Sequence, residues 1–191
     1  MEKQYECPFN YQELSEEEKN IAAFYNTHMV RLIPTRSCAP ALIKKFGKEL
    51  YNFKPKPEDI WLVGFPRSGT TLTQEILYLL GTDLNYEKAA GAIMDLRFPV
   101  LSFVLFRKEE QLPTHKRLEA EEGRRFIKSH YGFDLIHPEI LETGCKVVFI
   151  TRNPKDVIVS SFHYPSYYNR PGHTFEKFWL LFKNDLRKFF S

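Results

Sequence analysis

The pattern of apolar residues along the chain predicts buried strands. Residues 60–65 and 146–151 are short, nearly continuous apolar runs, which is typical of strands that a sheet buries on both faces. Residues 125–130 predict a shorter strand that ends in polar side chains. Because these strands alternate with helical segments, the chain is predicted to have an α/β fold, with a parallel sheet flanked by helices on both faces.

Helical spacing accounts for much of the remaining chain. Four apolar residues predict a helix over 70–80 that ends at Gly81. They are Leu72, Ile76, Leu79 and Leu80. Pro154 suits the first turn of a helix, and we expect that helix to cover about 154–164. Amphipathic patterns also mark residues 40–53 and 174–190 as helical.

The composition of the chain changes near residue 54. Residues 1 to about 20 are polar and acidic, and we expect a mobile arm with one short helix that Ser15 caps. A proline-bounded connector follows, so we predict an arm with helices at 1–53 and the main domain at 54–191. Residues 85–124 show no regular pattern and suit the wall of a substrate pocket. The apolar face of the last helix needs a partner, which indicates a fold that is incomplete at its C-terminus.

The overall composition favours a soluble globular protein and excludes several other classes. The 191 residues are 43% hydrophobic and 27% charged, and no apolar run has the length of a signal peptide or a membrane span. The net charge of +3 is too small and dispersed to indicate nucleic-acid binding. Three widely spaced cysteines argue against a disulfide framework or a zinc site. We therefore expect a cytoplasmic protein with no metal, no membrane partner and no nucleic-acid partner.

The segment 64–71, Gly-Phe-Pro-Arg-Ser-Gly-Thr-Thr, has the chemistry of a phosphate-binding loop. Two glycines five residues apart, between a strand and a helix, let the backbone wrap around an anion. Its side-chain donors are Ser68, Thr70, Thr71 and the cation Arg67. Nucleoside-triphosphatase loops carry a lysine after the second glycine, but Thr70 follows Gly69 here. ATP chemistry, such as that of a P-loop nucleotide kinase, is therefore the less favoured alternative.

Two further segments place polar groups at predicted strand ends. Arg152 follows a strand at its carboxyl end, where open α/β sheets bind ligands, and Ser160 lies two turns into the next helix. The pair suits a second phosphate, although a surface ion pair of Arg152 with Asp156 is an equal alternative. Lys128 and His130 are two residues apart on a strand and so point to the same side. His130 is a candidate general base, because the histidine pKa lies near working pH; a structural role is the alternative.

Together these segments resemble the cytosolic sulfotransferases. That family has a PKSGTTW-like loop, a KTH-like strand end and an RNPKD-like segment followed by a serine. Here the three read FPRSGTTL, IKSHYGF and ITRNPKDVIVSSFHY. The likeness spans roughly residues 55–185, and residues 67–75 together with 83–86 look most similar to insect members of the retinol dehydratase type. It implies the sulfotransferase fold, a P-loop-like parallel sheet flanked by helices, here incomplete at the C-terminus.

The resemblance also implies a cofactor, 3'-phosphoadenosine 5'-phosphosulfate (PAPS), and its product adenosine 3',5'-bisphosphate (PAP). The loop residues implied to hold the 5'-phosphosulfate are Arg67, Ser68, Gly69, Thr70, Thr71 and Leu72. Arg152 and Ser160 would hold the 3'-phosphate. His130 would deprotonate an acceptor hydroxyl, while Arg67 and Lys128 neutralise charge on the sulfuryl group. The acceptor would be a small hydrophobic alcohol or phenol, such as a steroid or a retinoid.

Three departures from the family pattern bear on these implied roles. Arg67 stands where the family usually has lysine, so it can stabilise charge but is unsuited to giving up a proton. Leu72 replaces the tryptophan that helps to hold the adenine. The family's C-terminal part, with its basic closing segment and its dimerisation segment, is not in this sequence. A truncated, non-catalytic relative that binds a nucleotide or a partner is therefore the alternative function, and homodimerisation is expected only of a full-length form.

Overall fold

The computed structural model describes residues 4–24, 28–106, 113–164 and 169–186. Contacts between residues divide the chain into two compact units. The parallel unit consists of Met1–Glu6 and Lys48–Arg152, and the antiparallel unit consists of Cys7–Gly47 and Asn153–Ser191. Each unit combines sequence from both sides of residue 54, and the domain boundary expected there stays a prediction.

The strands and helices of the described residues follow one another closely along the chain. The strands are β1 (Asn10–Gln12), β2 (Met29–Ile33), β3 (Cys38–Pro40), β4 (Ile60–Gly64), β5 (Phe126–Ser129) and β6 (Lys146–Ile150). The α-helices are α1 (Glu16–Phe24), α2 (Ile43–Tyr51), α3 (Thr70–Gly81), α4 (Tyr86–Ala90), α5 (Met94–Arg97), α6 (Thr114–Ala120), α7 (Pro154–Phe162) and α8 (Phe175–Lys183). Short 3₁₀ segments cover Leu101–Phe106, Phe133–Leu135 and Pro138–Leu141. No described helix combines the length and apolarity that a membrane crossing requires.

The centre of the parallel unit is strand β4. It pairs in parallel with β5 on one side and β6 on the other, so that Val63 lies opposite both Ser129 and Phe149. The predicted α/β fold with a parallel sheet flanked by helices is therefore confirmed. Because the strands are parallel, their carboxyl ends meet at one edge of the sheet, which is where ligands bind in this class of fold.

A buried ion pair lies at the amino ends of strands β4 and β5, opposite the carboxyl ends where ligands bind. Asp59 and Arg125 directly precede β4 and β5 and are almost completely buried. Arg125 donates from Nε and Nη2 to the two carboxylate oxygens of Asp59, over 2.8 and 2.6 Å. Its Nη1 and Nη2 also donate to the carbonyl oxygens of Leu118 and Lys54. This bidentate pairing satisfies both charges and fixes the proline-bounded connector to the sheet.

Helix α3 has the predicted position, but a different side of it is buried. The spacing of Leu72, Ile76 and Leu80 predicted the helix, yet all three side chains are exposed, Leu72 to 69% and Leu80 to 63%. The buried residues are Thr70, Gln74 and Tyr78. Tyr78 packs with Ile60, Leu62, Phe98 and Phe126 in the core of the parallel unit. Gln74 is tolerated there because its amide has hydrogen-bond partners inside the protein.

The prediction that strand β6 is buried on both faces is wrong. Its bounds agree with the prediction, but the strand lies at the edge of the sheet and β4 is its only strand partner in the described residues. Phe149 is 58% exposed as a result. An apolar run thus identified the strand without revealing how many neighbours it has.

The antiparallel unit contains an unpredicted sheet. Strands β1, β2 and β3 pair antiparallel in that order. The mobile arm expected for the first 20 or so residues is therefore wrong for residues 10–20, since β1 belongs to this sheet and Leu14 is buried. The three residues of β1 are all exposed and do not alternate between apolar and polar, so the hydrophobic pattern of the sequence could not predict that β1 pairs with β2.

The helices of the antiparallel unit agree with the sequence. Ser15 caps α1 as predicted: its Oγ accepts from the N–H of Glu18 over 3.2 Å, and the Glu18 carboxylate accepts from the Ser15 N–H over 2.9 Å. Helix α7 begins at Pro154, as expected, and α8 buries Phe178 in the core of this unit. The helix predicted over 174–190 ends at Lys183, and residues 187–190 lie outside the described residues.

Candidate active site

The loop between β4 and α3 has the backbone of an anion site. Arg67 and Gly69 both adopt left-handed conformations, with φ of 67° and 95°. In the described residues no side chain caps the start of α3. The first N–H groups of a helix have no partner inside the helix, and together with its dipole they attract anions. The loop can therefore supply backbone donors to a negatively charged group.

Ser68 gives independent support for a bound anion in this loop. Its Oγ is buried and has no hydrogen-bond partner among the described residues. Buried polar atoms nearly always have a partner, so an unpaired hydroxyl usually marks the place of a water or a ligand. A phosphate or sulfate oxygen would accept the Ser68 hydroxyl proton, and the residues present therefore fit such a group.

His130 is held next to this loop by the backbone of β4. Its Nδ1 lies 2.6 Å from the carbonyl oxygen of Gly64, the last residue of the strand. A carbonyl can only accept, so Nδ1 carries the proton and the neutral ring keeps its lone pair on Nε2. Burial lowers the pKa of His130 to about 3, the Lys128 cation adds to this effect, and the bond to Gly64 opposes it. The imidazole is therefore neutral across the working pH range, and the expectation that its pKa lies near working pH is wrong, because burial disfavours the charged ring.

Lys128 lies on β5, two residues before His130, which follows the end of that strand. Its side chain is buried, and its ammonium donates to the Oε1 of Gln74 over 2.9 Å. Burial lowers the pKa of Lys128 to about 8, while the Asp95 carboxylate acts in the opposite direction. A lysine with this pKa is mostly charged at neutral pH, and it interacts electrostatically with His130. The end of β5 thus brings a neutral imidazole and a buried cation close to each other. That both lie on the same side of the strand, as their spacing predicts, stays a prediction.

Arg152 is brought to the loop by β6. Its Nη1 donates to the carbonyl oxygen of Arg67 over 3.2 Å, so the two arginines of the candidate site are neighbours in the parallel unit. Ser160 is half-buried on α7 in the antiparallel unit. Its expected part in binding a second phosphate together with Arg152 stays a prediction.

The remaining loop residues differ in their exposure. Thr70 is buried, whereas Arg67, Gly69, Thr71 and Leu72 are exposed. Leu72 therefore presents an apolar side chain to solvent beside the loop. In the described residues no group of three or more His, Cys, Asp or Glu side chains is arranged to hold a metal ion.

Sequence reasoning missed two members of the site. Gln74 contacts Lys128 from α3, and the carbonyl of Gly64 orients His130. A signal for Gln74 existed, since it stands four residues from both Thr70 and Tyr78 and so shares their side of the helix. No side-chain pattern could reveal the Gly64 carbonyl, because every residue has one.

The parallel unit therefore gathers an anion-binding loop, two arginines, a buried lysine and a neutral histidine at the carboxyl edge of its sheet. Such an arrangement can hold a charged donor group, stabilise negative charge that develops on it and accept a proton from a nucleophile. These are the requirements for transfer of an anionic group to a hydroxyl.

Comparisons with known proteins point to one family. A protein-family model described as "Sulfotransferase domain" matches residues 57–187. The luciferin sulfotransferase of Photinus pyralis is 35% identical over 135 residues, which are 63% of this chain and 36% of that protein. Sulfotransferase 4A1 of Homo sapiens is 29% identical over 164 residues, which are 85% of this chain and 53% of that protein. The chain thus spans about a third to a half of the length of these curated relatives.

Solved structures give the same family. A retinol dehydratase in complex with retinol and PAP superposes with a TM-score of 0.82 at 29% identity, over 96% of this chain and 64% of that one. A second retinol dehydratase structure, with androsterone and PAP, has a TM-score of 0.83. Because the family model matches more than half of the chain, this protein belongs to the sulfotransferase domain family.

Proposed function

We propose that this protein is a sulfotransferase that transfers a sulfuryl group from PAPS to the hydroxyl of a small hydrophobic acceptor. The observation that carries the proposal is the placement of His130 and Lys128 at the strand end beside an anion-binding loop. A P-loop nucleoside triphosphatase or kinase carries a lysine at the start of this helix, where Thr70 stands. Sulfuryl transfer needs a base and positive charge, and this site contains both.

The residues proposed to hold PAPS belong to the loop, to the segment that follows β6 and to helix α7. PAPS supplies an activated sulfuryl group when bound. The backbone N–H groups at the start of α3 and the unpaired Ser68 hydroxyl would hold its 5'-phosphosulfate. Arg152 and Ser160 would hold its 3'-phosphate. Both retinol dehydratase structures contain PAP, which supports the choice of nucleotide.

The chemistry proposed for the side chains follows from their protonation. His130 is neutral and has its lone pair on Nε2, so it can accept the proton of an acceptor hydroxyl. Lys128 and Arg67 would stabilise negative charge on the sulfuryl group and on the leaving oxygen. Arg67 cannot act as an acid, because a guanidinium does not deprotonate in proteins.

The acceptor is proposed to be a hydrophobic alcohol or phenol. The retinol dehydratase structures hold retinol and androsterone, two apolar molecules with a hydroxyl group, and the firefly relative is named for luciferin. The structural likeness to retinol dehydratase also favours a second candidate reaction, in which an allylic sulfate ester loses sulfate. Anhydroretinol among the products of retinol would identify this reaction.

The test of the proposal has two arms. Titration calorimetry with PAP measures whether the chain binds the nucleotide, and ³⁵S-labelled PAPS with a panel of phenols, steroids and retinol measures transfer. Binding with transfer supports the proposal. Binding without transfer to any acceptor would identify a non-catalytic relative, and no binding at millimolar PAP would contradict the proposal altogether. Magnesium-dependent ATP hydrolysis would instead support a nucleotide-processing enzyme. A cytoplasmic location and homodimerisation stay predictions.

A further inference from the structure

We propose that Gln74 is a positioning residue that holds the ammonium of Lys128 in its working place. The inference rests on the proposed function, because it assumes that Lys128 acts on the transferred group. It concerns a residue of α3 that lies outside the loop motif and contributes only its side-chain amide.

The hydrogen bonds of Gln74 fix the orientation of its amide. The Lys128 ammonium can only donate, so the atom 2.9 Å from it must be the amide oxygen Oε1. The carbonyl oxygen of Phe98 can only accept, so the atom 2.7 Å from it must be the amide nitrogen Nε2. Both assignments agree, and the amide has a single orientation in which each end is satisfied.

The anchor of Gln74 is part of the same framework that holds the backbone of Lys128. The N–H of Lys128 donates to the carbonyl oxygen of Pro99 over 2.9 Å, and Val100 forms a parallel bridge with Lys128. Phe98, which accepts the bond from Gln74, directly precedes these two residues. The amide of Gln74 and the backbone of Lys128 are therefore both held by residues 98–100. Lys128 is thus fixed at its backbone and, through Gln74, at its ammonium.

A lysine at this place needs such a support. Its side chain is a flexible stem of four carbons, so a fixed strand alone does not fix the position of the ammonium. Lys128 is 6% exposed, which leaves little water to hydrogen-bond to the charge. Gln74 supplies an acceptor that is neutral and so orients the ammonium without neutralising it. A carboxylate at the same place would form an ion pair and reduce the charge available to the substrate.

Two titratable groups interact electrostatically with Lys128. Asp95 raises the pKa of Lys128, and His130 is close enough for its own pKa to be lowered by the lysine. Because burial brings the pKa of Lys128 to about 8, small changes in its surroundings alter its charge within the accessible pH range. The pH dependence of activity is therefore a direct readout of the contact with Gln74.

The test uses two variants of the whole chain with opposite expected effects. Gln74→Leu removes the acceptor, and Gln74→Glu keeps the shape but adds a negative charge. We expect the alkaline pKa of kcat/KM to fall in Gln74→Leu and to rise in Gln74→Glu. Turnover by Gln74→Leu should decrease on the order of 10–100-fold while the Kd for PAP changes less than about threefold, because misplacing a catalytic group affects turnover more than cofactor binding. Tyr78→Phe, one helical turn later on the same face, is the matched control and should change neither property.

A measurement that does not need activity separates this inference from the proposed function. The Lys128 ammonium can be titrated by NMR in protein labelled at the lysine side chain, with Lys128→Met to assign its signal. Unchanged pKa values of Lys128 in both Gln74 variants would overturn the positioning role, whatever the enzyme does. If instead the pKa values move as expected but Lys128→Met keeps full sulfuryl transfer, the contact is real and the proposed role of Lys128 is wrong.

Discussion

The Nδ1–H of His130 donates a hydrogen bond to the carbonyl oxygen of Gly64, over a distance of 2.6 Å. Gly64 ends β4, and the anion-binding loop begins with the next residue. The proposed base and the proposed cofactor loop are thus positioned by the same strand. Since β4 is the central strand of its sheet, both are fixed to the most buried part of the parallel unit.

The first prediction concerns the protonation of His130. Because its pKa is lowered to about 3, we expect its ring to remain neutral in the folded protein from neutral pH down to about pH 4. The unfolded chain takes up this proton near pH 6.5, so the stability linked to the neutral ring is complete above about 6.5 and is lost as the pH falls toward 3. Histidine NMR signals across this range give the measurement. A His130 signal that titrates near pH 6.5 would contradict it.

Replacing His130 tests its proposed role as the general base. We expect His130→Ala to lower turnover on the order of 10²–10⁴-fold, because general base catalysis contributes about this much. The Kd for PAP should remain nearly unchanged, since the side chain contacts the Gly64 carbonyl rather than the loop donors. Labelled-sulfate transfer and calorimetry measure the two quantities. His163→Ala, on an exposed histidine of the antiparallel unit, serves as the control, and full activity of His130→Ala would remove the residue from the base role.

The backbone of the loop can be tested by comparing two glycines. Gly69 and Gly123 both have positive φ, 95° and 71°, so alanine at either position introduces a similar strain of about 1–2 kcal/mol. Neither alanine meets a clash: the nearest atom to a Cβ at Gly69 is 3.6 Å away, and nothing lies within 4 Å of one at Gly123. We expect Gly69→Ala to weaken PAP binding at least tenfold and Gly123→Ala to leave it unchanged. Equal effects would mean that the loop does not bind the nucleotide.

The exposed side chain at Leu72 offers a gain-of-affinity test. If an adenine lies beside it, Leu72→Trp would add a stacking surface, and base–aromatic stacking contributes roughly 1–3 kcal/mol. We therefore expect the Kd for PAP to fall between about 5-fold and 100-fold. Leu80→Trp places the same side chain at a similarly exposed position two turns later on the same helix, and it should have no effect. Calorimetry on both variants decides between local stacking and a general effect of added aromatic surface.

The buried pair of Asp59 and Arg125 makes a prediction about stability. Breaking it with Arg125→Ala or Asp59→Ala leaves a buried charge without its partner, which costs about 3–5 kcal/mol. Replacing both residues by Leu and Met should cost less than either single change. Glu119→Gln breaks an exposed pair with Lys116 and should cost less than about 1 kcal/mol. Urea unfolding, followed through Trp61 in a Trp179→Phe background, reports on the parallel unit.

Local signals made much of the fold predictable. Continuous apolar runs located β4 and β6, and the residues that begin helices located α1 and α7 at Ser15 and Pro154. Burial could not be predicted as well, because it depends on neighbours that are distant in sequence. Phe149 is exposed since its strand lies at the edge of the sheet.

In the candidate site, too, local signals made some features predictable, whereas contacts between distant residues were not. The spacing of Lys128 and His130 predicts that both lie on the same side of the strand, because strand geometry is local, and the structure brings the two close enough to interact electrostatically. Gln74 reaches Lys128 across 54 residues of sequence, and its partner Phe98 lies 24 residues away. A contact of this kind depends on how the helix is rotated against the sheet, and the apolar spacing of α3 indicated the opposite side.

The lack of a side chain at Gly64 is sterically linked to Ile150. A Cβ there would lie 2.5 Å from the Cγ2 of Ile150 and 2.8 Å from its carbonyl oxygen, so no other residue fits opposite isoleucine without movement of β6. A smaller residue at position 150 would remove the first obstacle, and a slight shift of the strand would remove the second. Positions 64 and 150 should therefore vary together among relatives, with a larger residue at one accompanied by a smaller residue at the other. Anyone grafting this loop onto another sulfotransferase sheet would need to transfer both residues.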